Sequence, residues 1–432
     1  MDSSSPQWTA RHLDLSVADG LTNSSWQATD LVIPGLRRNP RRAHLLVSTV
    51  LGKHIPTDPL RVRAAAESLG DLVAEALRRL APDTQTDAAT VFGFAETATG
   101  LGHGVAAHLR SHCYLQSTRR TGPDVVVLGE FTEGHSHATR HLIQPTSADL
   151  FSDNRAPLVL VDDEISTGAT AIDAIRSLHS IAPHPAYVVA SLVDMRTPAH
   201  RAENASAAAE LGVDIEFVAL ADGAVALPPE LPAAVAELVT TPLNPIAAQA
   251  GSADFLVIDW PSDVPDGGRF GFLADDYDRF TAAACDAATL IGTRLPQDHI
   301  VVVGHEELMY LPQRIAEEIS ADGRDVGYQT TTRSPAIVID ADGYPLRRGF
   351  EFIAPEADST ARRYLYNASR SAAQPSAIVL VIDTPADSHE LRAPGGLLDV
   401  VTRAGHDVLV VVVPAPTQAG LRDGRAHVKA AR

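Results

Sequence analysis

The run Leu158-Val159-Leu160-Val161 has no polar face to offer water, and it stops abruptly at Asp162-Asp163. A short strand that is apolar on both sides can only lie inside a sheet covered on both faces. Similar runs occur at Thr90-Val91-Phe92, from Asp124 to Leu128 and from Ala186 to Leu192. Between them lie segments of helical period, Gly104 to Arg110 and Thr170 to Ser180. Apolar strands alternating with helices predict an α/β fold built on a parallel sheet.

The chain has 432 residues, too many for one ordinary core, so two or three domains are expected. The order of motifs repeats. Phe92-Gly93-Phe94-Ala95-Glu96 is echoed by Val303-Gly304-His305-Glu306-Glu307, and Tyr114 to Arg119 by Gly327 to Arg333. Gly129-Glu130-Phe131 and Thr139 to Leu142 are echoed by Gly349 to Phe352 and Arg362 to Leu365. Leu158 to Asp163 is echoed by Ile378 to Asp383. The same order twice predicts two copies of one fold. The boundaries expected are an N-terminal extension over 1–30, a catalytic domain over 31–225, a linker with a short helix over 226–250 and a second domain over 251–432.

After Asp162-Asp163-Glu164-Ile165 comes Ser166-Thr167-Gly168-Ala169-Thr170 at the start of a helix. Backbone N–H groups there point outward and the helix dipole favours an anion. Gly168 permits close approach of a phosphate, and the three hydroxyls add donors. Two carboxylates beside a phosphate nest suit the hydroxyls of the sugar that carries the phosphate.

These residues resemble the type I phosphoribosyltransferase family, whose motif is an apolar strand, two acidic residues and a hydroxyl- and glycine-rich loop. The resemblance implies that Asp162 and Asp163 hold the ribose hydroxyls of phosphoribosyl pyrophosphate (PRPP) and are catalytic. It implies that Ser166, Thr167, Gly168, Ala169 and Thr170 hold its 5-phosphate, with Glu164 beside them. Glu164 departs from the pattern, since many members carry an apolar residue there. Glu96-Thr97-Ala98-Thr99-Gly100 occupies the place of the family's pyrophosphate loop. The segment Glu130 to His141 corresponds to a hood that closes over PRPP and excludes water. In it Glu133, His135 and His137 are candidates for proton transfer, Glu133 and His135 foremost. His135, His137 and His141 could also be read as metal ligands, although a solvated loop explains them more simply. Mg²⁺ is expected to arrive with PRPP, and no residue is assigned as its direct ligand.

Arg41, Arg42, Lys53, Arg119, Arg120 and Arg333 are candidates for substrate contacts. The tetrapeptide Thr332-Arg333-Ser334-Pro335 resembles the signature of the TRSP domain, which follows a particular phosphoribosyltransferase domain in proteins encoded near tellurium-resistance and stress genes. In the second copy Ile382-Asp383-Thr384-Pro385 replaces the acidic pair and phosphate loop. Pro385 removes a backbone donor, so this copy is not expected to bind PRPP in the same way.

The formal charge of −19 argues against a nucleic acid partner. Cys113 and Cys285, the only cysteines, form no metal spacing or disulfide framework. No apolar stretch approaches the ~20 residues of a membrane span, and Met1-Asp2-Ser3-Ser4-Ser5-Pro6 does not resemble a signal peptide. The expected protein is a cytoplasmic transferase acting on PRPP and a small-molecule acceptor, with no membrane or nucleic acid partner. A homo-oligomer is compatible with the sequence. The alternative expectation is a sensor that binds PRPP without transferring it.

Overall fold

The computed structural model describes residues 7–22, 24–39, 42–122, 124–132, 140–152, 156–295, 299–356, 361–368 and 375–431. The N-terminal half opens with α1 (Trp8–Leu13), β1 (Ser16–Thr22), α2 (Ala28–Leu31), β2 (Val32–Leu36) and β3 (His44–Ser48). Then come α3 (Pro59–Leu80), β4 (Thr90–Gly93), α4 (Thr99–Leu109) and β5 (Cys113–Gln116). A hairpin of β6 (Gly129–Thr132) and β7 (Arg140–Ile143) follows, then α5 (Asp149–Ser152), β8 (Leu158–Val161) and β9 (Glu164–Ile165). The half closes with α6 (Ala169–Ile181), β10 (Ala186–Asp194), α7 (Pro198–Leu211) and β11 (Asp214–Ala226).

The C-terminal half begins after α8 (Leu231–Ala236) with β12 (Ala253–Val257), β13 (Phe272–Leu273), α9 (Tyr277–Gly292) and β14 (Ile300–Gly304). It continues with α10 (Tyr310–Ala321), β15 (Val326–Thr330) and a hairpin of β16 (Gly349–Ile353) and β17 (Arg362–Tyr366). Last come β18 (Ala377–Asp383), α11 (His389–Arg392), α12 (Leu397–Arg403), β19 (Val408–Val413) and α13 (Gln418–Ala431).

Local rules account for these elements. Asp58 caps α3 by accepting the Leu60 N–H, and Pro59 occupies its first turn. Val62, Ala65, Ala66, Leu69, Val73, Ala76 and Leu77 then recur at three- and four-residue spacing on the buried face. β8 and β10 are buried along their whole length, as strands without a polar face must be.

The first sheet has the order β1-β11-β10-β8-β4-β5-β13, with β9 beside β10. Its five central strands are parallel. The second sheet, β12-β19-β18-β14-β15, is parallel throughout. The expected duplication is present: β10-β8-β4-β5 of one sheet corresponds to β19-β18-β14-β15 of the other. A hairpin follows β5 and β15 alike. Even the bridges match, Thr118 with Leu142 and Thr332 with Tyr364.

Three expectations change. Residues 1–30 are not an appendage, because β1 pairs antiparallel with β11 and completes the first sheet. The run Asp124 to Leu128 is not a buried strand; Val126 is 64% exposed and its backbone is bonded to Gln418 of α13. Four apolar side chains in a row do not make a strand where no sheet edge is free to receive them. The two halves also share one core, in which Val62 and Leu69 belong to the same cluster as Phe280, Leu311 and Ile315. The helix α8, expected within 226–250, seals a smaller cluster through Leu231 and Val235.

Each half lends an edge to the other. Thr57 and Tyr328 exchange backbone hydrogen bonds of 2.9 and 2.8 Å, extending the second sheet at β15. Phe272 pairs with Tyr114, extending the first sheet at β5. Between these edges α10 packs on α3 and α4, and the His103 ring stacks on Tyr310 with centroids 3.6 Å apart. Among the described residues no helix is long and apolar enough to cross a membrane.

Candidate active site

β4 hands on through α4 to β5 on one side of the first sheet, and β8 hands on through α6 to β10 on the other. A crevice therefore opens between their carboxyl ends, where Gly93 and Val161 lie in register. Ligands of open α/β sheets bind at such a reversal. The loop after β8 fills one wall. Asp162 accepts the Asp163 N–H at 2.9 Å, and the Asp163 carboxylate accepts no hydrogen bond from a described residue. Thr167 Oγ1 accepts the Ala169 N–H, and α6 begins directly after Gly168.

Gly168 is required twice over. Its φ is +82°, and a Cβ there would lie 2.1 Å from Asn204 Oδ1. Asn204 is itself held by Arg196 at 2.9 Å, and Arg196 forks onto both oxygens of Asp194 at 2.8–3.2 Å. The Arg196 guanidinium carbon lies over Phe217, 3.6 Å from the ring centroid. This buried network props the turn at Gly168.

The facing wall is basic. Lys53 Nζ donates to Thr97 Oγ1 at 2.6 Å, which brings a candidate for substrate contact to the segment expected to serve as the pyrophosphate loop. Arg42 pairs with Glu164. Burial pushes the Glu164 carboxyl above its ordinary range, while Arg42 pulls the other way. Arg42 therefore neutralises the unusual acid beside the pair Asp162-Asp163.

Other candidates have different duties. Glu96 is buried and accepts hydrogen bonds from Thr332 Oγ1 at 2.6 Å and the Arg333 N–H at 3.1 Å, both in the C-terminal half. Thr99 donates to the Glu307 carbonyl at 3.2 Å, and a Cβ on Gly100 would press on Met309 at 3.0 Å. Glu96, Thr99 and Gly100 thus form the junction, and Ala98 is buried beneath it. Within the expected pyrophosphate loop, Thr97 is the side chain tied to Lys53. Arg333 holds Glu306 through Nε at 3.0 Å, and Arg120 pairs with Asp383 of the other half. Both side chains are engaged by carboxylates of the C-terminal half, although Arg120 Nε and Nη2 have no hydrogen-bond partner among the described residues. Arg119 donates its N–H to Glu307 at 2.9 Å and its side chain to the Ala95 carbonyl at 3.3 Å. Arg41, Glu133, His135 and His137 lie outside the described residues. His141 is buried, paired with Ser117 at 2.8 Å and stacked on Phe131, which gives it a structural role.

The sequence reading missed a symmetry of contacts. Thr118 Oγ1 donates to Glu307 at 2.6 Å and the Arg119 N–H to the same carboxylate, mirroring Thr332, Arg333 and Glu96. The signal was present in the two echoed segments, each a glutamate after the first strand and a Thr-Arg pair after the second.

Residues 31–224 match the family described as phosphoribosyl transferase, and residues 266–401 match the TRSP domain C-terminal to it. The chain belongs to this two-domain family. Solved structures similar to it include adenine phosphoribosyl transferase from Trypanosoma brucei in complex with AMP, pyrophosphate and ribose-5-phosphate, at 15% identity over 48% of this chain and 86% of that one, with a TM-score of 0.34. Adenine phosphoribosyltransferase from Rhodothermus marinus is 17% identical over 44% of this chain and 93% of that one, with a TM-score of 0.28. A hypoxanthine phosphoribosyltransferase from Staphylococcus aureus is 15% identical over 35% and 71%, with a TM-score of 0.21. No curated protein matches the sequence.

Proposed function

We propose that the protein binds PRPP in the crevice between β4 and β8 and transfers its 5-phosphoribosyl group to a small nucleophilic acceptor, releasing pyrophosphate. The observation that carries this reading is the acidic pair Asp162-Asp163 leading into the Gly168 turn at the N-terminus of α6, opposite Lys53 and Thr97. Asp162 and Asp163 accept hydrogen bonds from the ribose hydroxyls. The N–H groups and hydroxyls of 166–170 hold the 5-phosphate. Lys53 and Thr97 take the pyrophosphate. In the reaction the bond from C1 to the pyrophosphate oxygen breaks, a bond from the acceptor nitrogen to C1 forms, and the acceptor loses a proton. Glu133 and His135 are the groups the sequence offers to receive it.

Mg²⁺ fits the donor set, which is carboxylate oxygen beside a phosphate site, with Asp163 unengaged by any described donor. When bound, the ion neutralises charge on the pyrophosphate. The chain's own contribution is position and electrostatics.

Calorimetry with Mg²⁺ and PRPP is expected to show one site per chain. Pyrophosphate release against a panel of nucleobases then identifies the acceptor. Changing Asp162→Asn with Asp163→Asn should lower transfer on the order of 100-fold. Full activity in that protein would remove the assignment. Binding without release from any acceptor would make the protein a PRPP sensor.

A further inference from the structure

The second sheet has the same reversal as the first. β14 hands on to β15 and β18 to β19 on opposite sides, and Gly304, which ends β14, pairs in register with Val381 of β18. His305 follows β14 directly and Asp383 is the last residue of β18, so both stand at the carboxyl ends that frame a second crevice. His305 is fully buried, its Nδ1 paired with Thr331 Oγ1 at 2.8 Å and its Nε2 2.9 Å from Glu356 Oε1. Asp383 is 4% exposed, and one of its oxygens pairs with Arg120, which reaches across from the N-terminal half.

The remaining polar atoms of this cluster are unmet. Among the described residues, Asp383 Oδ1, Glu356 Oε2, and Arg120 Nε and Nη2 are buried without a hydrogen-bond partner. Folded proteins rarely leave such atoms unpaired, and a ligand is one of the few reasons to do so. Here the set comprises two acceptors and a forked donor gathered at a sheet reversal. The groups sense one another, since Asp383 and Glu356 both act electrostatically on Arg120.

The surroundings narrow the ligand. Asp383 leads into the 3-10 turn Thr384–Ala386, where Pro385 has no N–H to give. No counterpart of Gly168 opens a nest there. Asp266 adds a third acid, which burial and Asp383 push up to about 6. Arg269 lies in the same field as Arg120, but with Glu307 the carboxyls around these two guanidiniums number four, an excess of negative charge that disfavours a phosphate. His305, Glu306 and Glu356 bring ligand atoms within 4.8 Å of one another. Glu306, however, is held by both Arg333 and Arg363, and two guanidiniums repel a cation. Hydroxyl groups meet the requirement, because each donates to a carboxylate and accepts from a guanidinium at once.

We infer that the crevice between β14 and β18 is a second binding site, which takes an uncharged compound with neighbouring hydroxyls, such as a pentose or a nucleoside without phosphate. The inference rests on the C-terminal sheet and not on the PRPP reading. Its test uses the full chain, with D-ribose and adenosine as probes, followed by calorimetry and saturation-transfer NMR. Saturable adenosine binding is expected to persist in the Asp162→Asn, Asp163→Asn protein and in the presence of excess PRPP. It should weaken at least tenfold in Glu356→Gln and in Asp383→Asn. Glu356→Gln preserves shape and keeps the test decisive if Asp383→Asn fails to fold. The absence of saturable binding by both probes would overturn the inference. So would binding that vanishes with Asp162 and Asp163 yet survives in Glu356→Gln.

Discussion

His44 stands in β3 near Arg42 and Arg37, and burial, followed by those two guanidiniums, holds its imidazole down to about 4. In an unfolded chain the same group takes up a proton near ~6.5. Between these values the unfolded chain binds more protons than the folded one, so stability rises with pH. The contribution is complete above about 6.5 and is lost as pH falls toward about 4. Replacing His44→Gln should flatten the loss of urea resistance between those limits, and an unchanged acid profile would assign that loss to other groups. The residues of the loop after β8 were legible because their chemistry is local: carboxylates, hydroxyls and Gly168 within nine positions. Arg120 and Arg333 were not legible, because an arginine looks alike whether it meets a substrate or a carboxylate of the protein, such as Asp383 for Arg120 and Glu306 for Arg333.

At the scale of elements, the turn after β4 and the end of β15 are locked by Thr332, whose hydroxyl donates to the buried Glu96 at 2.6 Å. Removing a hydrogen bond to a buried charge costs about 1.5–3 kcal/mol. Thr332→Val is therefore expected to lower stability by about that amount in urea titration, with Thr332→Ser restoring most of it. Equal stability of all three proteins would show that Glu96 is satisfied by Arg333 alone. Elements with a full apolar run and a closing turn, such as β4, β8 and β10, were readable from periodicity. The stretch Asp124 to Leu128 had the run and not the place, since the edge of β5 is already occupied by β13. β13 itself is two residues long, too short to carry any period.

For the whole molecule, the internal echoes revealed the duplication, and the strand orders of the two sheets bear it out. They did not reveal that the halves trade edges, because those pairings join residues such as Thr57 and Tyr328 that no local pattern connects. The first crevice is therefore built by one half and braced by the other. In an assembly of separate subunits such bracing comes and goes with concentration. Here the brace is tethered, and its effective concentration is set by the chain. Specific transferase activity should accordingly stay constant as the protein is diluted from micromolar to nanomolar, and a fall on dilution would mean that a second chain is needed. A brace carried on the same chain does not have to be found by diffusion, so it is at hand in every copy however few there are.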